Sequence, residues 1–200
     1  MNEIESRLKD ISEIRSMMER SSKFLSLSGL AGVAAGTVAL IGAALAYQQL
    51  RINDGLAEKN NLLTFFVVDA AVVLVLAIGL AIFFSTRMAK KKALPIWTTT
   101  TKHMLASLLM PLSTGGVFCF ILWYHGLVLL IPPATLIFYG LALLNTSTYT
   151  TTEIRYLALA EIMLGLLATL LLESWLVLWA IGFGLLHIAY GIFMYRKFEK

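Results

Sequence analysis

Six long blocks of predominantly apolar residues, separated by short polar segments, dominate this sequence. A helix of about 20 residues spans the bilayer's hydrocarbon core, because each residue adds about 1.5 Å and the core is about 30 Å thick. The blocks predict transmembrane helices at residues 24–48, 62–86, 103–124, 127–146, 154–172 and 175–195. Only 14% of the 200 residues are charged, against about 25% in soluble domains, so an ordinary water-soluble enzyme is excluded.

The basic residues indicate how these spans are oriented. All but two of the 16 lysines and arginines lie before span 1, in the loops after spans 2 and 4, or in the C-terminal tail; the exceptions are Arg51 and Lys59. Because Lys and Arg are enriched in cytoplasmic segments, both termini are predicted to be cytoplasmic. The connecting loops are too short for a soluble domain, so we expect an all-α bundle of six transmembrane helices over residues 24–200.

Residues 1–23 form a separate, charged unit. Apolar residues recur at helical spacing along 2–22, and five acidic residues balance five basic ones in the unit, which predicts an amphipathic cytoplasmic helix. A helix that binds anionic lipid is normally strongly basic. Two interpretations remain open: the helix packs on protein, either a second copy in a homodimer or another partner, or it lies on the membrane surface.

Small residues indicate where helices approach closely. Ser28, Gly32 and Gly36 follow one another at four-residue spacing in span 1. Such small residues let transmembrane helices come into backbone contact. Packing within the chain is the expected use of this stripe, and a dimer interface is the alternative.

Two proline-containing segments lie inside predicted spans. Pro111 is followed by Ser113 and Thr114 near the middle of span 3, and Pro132 and Pro133 are adjacent in span 4. Proline kinks helices, and interrupted helices line substrate sites in transporters. Either a dry kink or a cavity supported by Ser113 and Thr114 is therefore expected.

Three ionisable side chains stand out because they lie well inside spans, away from the ends: Asp69, Glu161 and His187. Each charge in a span costs about 2.5–3.5 kcal/mol on insertion scales, so each requires an explanation. Glu161 and His187 lie equally far along the chain from Ser174, at the predicted turn between spans 5 and 6, which places them at similar depth. Both lie on faces of small residues, so we predict that they approach each other inside the bundle. The small residues of these faces are Ala158, Gly165 and Ala168 on span 5 and Ala180, Gly184 and Gly191 on span 6.

The predicted pair has two interpretations. A Glu–His hydrogen bond would lock the hairpin, whereas an imidazole beside a carboxylate would form a protonatable site of the kind used in proton relays. Tyr190, one turn from His187, could add a hydroxyl to the site. Asp69 lies in the outer half of span 2, so it is expected near span 1 or an outer vestibule and away from the pair.

Other chemistries find little support in the sequence. Cys119 is the single cysteine, so no intrachain disulfide and no CxxC motif can exist. Asp69 is too far in depth from the other two groups for a metal site. No phosphate-binding loop, nucleic-acid-binding element or GxSG nucleophile motif occurs, so no cofactor and no nucleic-acid partner are expected, and an enzyme is disfavoured.

Three stretches resemble a known family: EIRSMMERSSKFLSLSGLAG (13–32), YGLALLNTSTYTTTEIRYLALAEIMLGLL (139–167) and GFGLLHIAYGIFMYRK (182–197). They are similar to uncharacterised small six-span integral membrane proteins of bacteria, and cover roughly a third of the chain. The resemblance implies the bacterial inner membrane as the location and supplies no activity.

Two functional hypotheses follow. The first is a small transporter or channel for an ion or small solute, with protonatable Glu161 and His187. The alternative is a non-catalytic membrane sensor or accessory subunit that acts through residues 2–22. Neither the substrate nor the coupling ion can be read from the sequence.

Overall fold

A computed structural model describes residue 11 and residues 28–52, 59–93 and 95–199, with only the backbone described for 59–61. Over these residues the chain is all-helical and contains no strand, so the predicted helical bundle is confirmed. Of the predicted N-terminal helix at 2–22, only Ile11 lies within the described residues; it is helical and exposed.

Six helices make up the described bundle. They are α1 (Gly29–Ile52), α2 (Lys59–Lys91), α3 (Thr99–Tyr124), α4 (Ile131–Thr146), α5 (Glu153–Leu170) and α6. Helix α6 consists of three consecutive parts, an α-helix at Trp175–Trp179, a π-helix at Ala180–Leu186 and an α-helix at His187–Phe198. Five of the six are long and apolar enough to cross a membrane; the exception is α5, whose 18 residues include three charged ones.

The packing order of the helices places α6 at the centre. Helix α6 contacts α1 on one side and the closely packed α4–α5 pair on the other. Helix α2 packs chiefly on α1, and α3 packs chiefly on α4, so these two helices flank the bundle. Three helices, α4, α5 and α6, therefore enclose the region where the predicted pair lies.

The turn between α3 and α4 forms the predicted tight hairpin. Gly126 has a φ of +74°, a left-handed conformation that glycine adopts without steric cost. The backbone N–H of Leu127 donates to the carbonyl of Leu122 over 2.8 Å, which completes the helix end. A short 3₁₀ turn at Val128–Leu130 then leads into α4.

The prolines do not interrupt helices in mid-span. Pro111 lies inside an uninterrupted α3, and Pro132 and Pro133 occupy the first turn of α4, where a missing N–H costs nothing. Neither Pro111 nor the adjacent pair in α4 thus breaks a helix, and the kink expected at Pro111 stays a prediction. The departure from α-helical geometry inside a described span is the π-helix of α6.

The small-residue stripe of span 1 packs within the chain, as predicted. A Cβ built on Gly36 would lie 2.6 Å from the carbonyl oxygen of Gly184, and one on Gly32 would lie 3.2 Å from the Cα of Gly191. Backbone contacts this close leave no space for a side chain. Glycines on both helices therefore form a seam that holds α1 against α6.

Candidate functional site: a buried Glu–His–Tyr cluster

Glu161 of α5 and His187 of α6 meet inside the bundle, which confirms their predicted approach. His187 Nδ1 lies 3.3 Å from Glu161 Oε1. The glutamate is 0% exposed and the histidine 6% exposed. Two ionisable groups are thus packed together where solvent does not reach them.

The ring of His187 is held at both nitrogens. Nδ1 lies 3.0 Å from the backbone carbonyl oxygen of Gly182, and Nε2 lies 2.9 Å from the hydroxyl of Tyr139 on α4. A carbonyl can only accept, so the contact with Gly182 O is a hydrogen bond when Nδ1 carries a proton, and Glu161 Oε1 lies beside the same nitrogen. Nε2 accepts from the Tyr139 hydroxyl when only Nδ1 is protonated, and donates to it whenever Nε2 carries a proton.

The π-helix explains how the histidine reaches this position. Widening over Ala180–Leu186 shifts the register of α6, and the ring of His187 points back to a carbonyl five residues earlier. Such π-bulges occur frequently at functional sites. Gly182 is required locally because a Cβ there would lie 2.6 Å from Glu161 Oε2.

Glu161 is the unusual member of the cluster. Neither of its carboxylate oxygens makes a hydrogen bond of normal geometry among the described residues, and the 3.3 Å contact of Oε1 with His187 Nδ1 is an ion-pair distance. Leu136 of α4, which is 0% exposed, packs beside it at Gly182, and the Phe183 ring stacks on His187 with centroids 6.0 Å apart. An ionised carboxylate in such apolar surroundings is costly unless a positive charge lies next to it.

The cluster can therefore exist in two forms that contain the same number of protons. In one, an ionised Glu161 faces a charged His187; in the other, a protonated Glu161 faces a neutral His187. The two forms interconvert when one proton moves between Nδ1 and Oε1: Nε2 keeps its proton in both forms, and the hydrogen bond from Nδ1 to Gly182 O is present only in the charged form. A proton gained or lost by the pair as a whole leaves one unpaired buried charge, which the apolar walls disfavour.

Asp69 lies elsewhere, as predicted. It belongs to α2 and faces α1, where a Cβ built on Gly42 would lie 3.4 Å from its Oδ2. The side chain is partly exposed. It thus meets a small residue of span 1 and does not contribute to the Glu–His–Tyr cluster.

The three supporting residues have different positions. Ser113 and Thr114 lie on the exposed side of α3, where both hydroxyls donate to the carbonyl of Met110. Tyr190 lies on α6, and its buried hydroxyl makes no hydrogen bond of normal geometry among the described residues. Tyr190 and Tyr139 pack against one apolar cluster, formed by Leu143, Ile154, Leu157 and Ala158.

Sequence reasoning missed Tyr139 and Gly182. A tyrosine within an apolar span, followed directly by Gly140, was the available signal for the first. Gly182 lies off the predicted small-residue face, because that face assumed α-helical spacing through what is a π-helix. The described residues contain no group of three side chains suited to hold a metal ion.

Comparisons of the chain with protein-family models, with curated proteins and with solved structures gave no match. The resemblance to a bacterial membrane-protein family thus stays a prediction.

Proposed function

We propose that this protein is a small membrane transporter whose working step is protonation and deprotonation of the Glu161–His187 pair. One observation carries the proposal: a fully buried carboxylate, which makes no hydrogen bond of normal geometry with any described residue, lies 3.3 Å from an imidazole nitrogen. Asp, Glu and His side chains in membrane spans are rare and mark proton relays and ion pathways.

Stability alone is a poor reason to keep such a pair. Replacing a buried ion pair by well-packed apolar residues is often neutral or stabilising by about 1–4 kcal/mol. A purely structural glutamate would also be expected to use its acceptors, whereas in the described part of the chain Oε2 of Glu161 has no partner and Oε1 has only the ion-pair contact with His187. These considerations favour a working carboxylate over a clamp.

The expected setting is a bacterial inner membrane with both termini in the cytoplasm. The distribution of lysine and arginine supports this orientation, and the family resemblance supports the location. In this orientation the pair lies in the cytoplasmic half of the bundle. The transported species is a proton, or a small ion or solute whose movement is coupled to one.

Proton flux into liposomes tests the proposal. Purified protein is reconstituted with a pH-sensitive dye inside, and a pH gradient is applied together with a potassium diffusion potential. Wild type is expected to carry protons, and Glu161→Gln and His187→Gln are expected to lower the rate by about 100-fold, because a positioned proton-transfer group contributes at least that much.

Glu173→Gln is the matched control, since Glu173 is exposed in the turn before α6 and undergoes the same chemical change. It should leave the flux unchanged. Flux that is absent from wild type, or equal in wild type and Glu161→Gln across sodium, potassium and proton gradients, would reject the proposal. The pair would then be a clamp, and the sensor or accessory role would replace transport.

A further inference from the structure

The buried hydroxyl of Tyr190 has no evident structural use. It makes no hydrogen bond of normal geometry among the described residues, and only Thr151 is close enough for a weak one, although burying a hydroxyl without a good partner costs about 1–3 kcal/mol. A phenylalanine would fill the same space without that cost. The hydroxyl therefore calls for an explanation other than packing.

The position of Tyr190 in the bundle suggests a role for its hydroxyl. Tyr190 lies three residues after His187, hence one turn closer to the end of α6 and on a neighbouring part of the same face. Lys197 lies two further turns along α6 and forms an ion pair with Glu153 at the first turn of α5. Tyr190 thus lies between the buried pair and a charged pair at the end of the bundle.

Two hydroxyl groups lie near one another beside the buried pair. Tyr139 and Tyr190 pack against the same apolar cluster, and the Tyr139 hydroxyl lies 2.9 Å from His187 Nε2. Thr151, in the turn before α5, is within hydrogen-bonding reach of Tyr190, and Glu153 lies near the same hydroxyl. Along α6 and its neighbours the groups follow the order Glu161, His187, Tyr139, Tyr190 and then Glu153 with Lys197.

We propose that Tyr190 and Tyr139 relay protons between the buried Glu161–His187 pair and the membrane surface that carries Glu153 and Lys197. This inference rests on the proposed function and adds to it a route and a side of the membrane. Tyr190 and Tyr139 take part through their hydroxyl groups, while Glu153 receives protons from solvent.

The number of protons is conserved at every step of the relay. A proton held by Glu153 passes to the Tyr190 oxygen, which releases its own proton to the Tyr139 oxygen, directly or through one water molecule. Tyr139 releases its proton to His187 Nε2, and the Nδ1 proton moves to Glu161. Each hydroxyl forms one O–H bond and breaks one, so a single proton is transferred overall and both tyrosines end neutral.

Tyr190→Phe tests the relay, because the lost hydroxyl makes no hydrogen bond of normal geometry with any described residue, and the variant should therefore fold about as stably as wild type. Tyr156→Phe is the matched control, since Tyr156 on α5 is 72% exposed. After a rapid pH change, the infrared carbonyl band of Glu161 reports how fast this carboxyl gains or loses its proton. We expect Tyr190→Phe to slow both the change in this infrared band and the liposome flux by about 100-fold. The final size of the band change should be unaltered, because Glu161 still reaches the same protonation state. Tyr156→Phe should match wild type in both measurements.

The relay and the proposed function fail in different ways. If Glu161→Gln abolishes flux while Tyr190→Phe exchanges protons as fast as wild type, the proposed function stands and the relay is wrong. If Glu161→Gln leaves flux intact, the proposed function itself fails. Tyr139→Phe should slow exchange as Tyr190→Phe does; a normal rate in that variant also rejects the relay.

Discussion

The two sides of α6 hold their neighbours by different means. Toward α1, α6 presents Gly184 and Gly191, and the two backbones are in direct contact. Toward α4 and α5, it presents His187, which forms a hydrogen bond with Tyr139 of α4 and lies beside the buried carboxylate of Glu161 on α5. The first side is a steric fit that admits no added atom, and the second is a polar cluster that tolerates small shifts. We therefore expect folding to depend mainly on the α1 side and activity mainly on the α4–α5 side.

Gly191→Ala should have the largest effect on stability. The new Cβ would lie 2.6 Å from the backbone nitrogen of Val33, and a backbone atom cannot move aside as a side chain can. We expect a loss of about 1–3 kcal/mol in the free energy of unfolding, measured by denaturant titration in detergent micelles. Gly116→Ala on α3 is the control, because nothing lies within 4 Å of its Cβ position. Equal stability of the two variants would refute the tight seam.

Gly182→Ala, on the side of α6 that faces α4 and α5, should lower the stability less than Gly191→Ala and should lower the activity more. Its Cβ would meet Glu161 Oε2 and Leu136 Cδ2, each at 2.6 Å, and both atoms are at the ends of side chains that can move. A cost of about 1 kcal/mol is expected, with the Glu161 carboxylate displaced from His187. Proton flux in liposomes should fall by more than the stability loss accounts for. An unchanged flux would mean that the pair geometry does not matter.

At the end of α6, the side that faces α1 is held by a helix cap as well as by the glycine contacts. Glu199 accepts hydrogen bonds from the backbone N–H of Gly29 and from Ser28 Oγ, and so caps the start of α1. Glu199→Ala should cost about 1 kcal/mol, as the loss of an N-terminal cap usually does, and leave flux unchanged. Thermal unfolding in detergent gives the first value and the liposome assay the second. A variant as stable as wild type would show that the cap is dispensable.

The Lys197–Glu153 ion pair should contribute least to stability. The hydrogen bond from Lys197 lowers the pKa of Glu153, which lies just before predicted span 5. A carboxyl with a lowered pKa stabilises the fold above its unfolded pKa, and the contribution is lost as the pH falls through the folded value. Glu153→Gln should therefore cost at most about 0.5 kcal/mol near neutral pH and nothing in acid. Unfolding curves at several pH values measure this; a cost that persists in acid would exclude the ion pair as its cause.

Most of the fold was predictable because the membrane imposes it. Apolar length alone located all six helices to within about five residues at each end; the largest differences are at the start of α1 and the end of α2. The meeting of Glu161 and His187 followed from counting along an antiparallel hairpin. Both arguments use only the length of apolar segments and the spacing of residues, which can be read from a single sequence.

The rest of the site depends on tertiary contacts and register. Tyr139 lies 48 residues before His187, and nothing in the sequence indicates that α4 packs against α6 at that height. The face predicted for span 6 grouped Gly184, His187 and Gly191, but the glycines contact α1 while the histidine side chain contacts α4 and α5. The π-helix that produces this division has no sequence signature strong enough to predict it.

Infrared titration of Glu161 tests the central claim most directly. Difference spectra of wild type and Glu161→Gln, recorded over the pH range in which both stay folded, isolate the carbonyl band of this one carboxyl. The account predicts a band that appears and disappears with pH in wild type, is absent from Glu161→Gln and titrates at a different pH in His187→Gln. A Glu161 band that stays constant over that whole range would contradict it, because a carboxyl that never exchanges its proton cannot be the working group of a transporter.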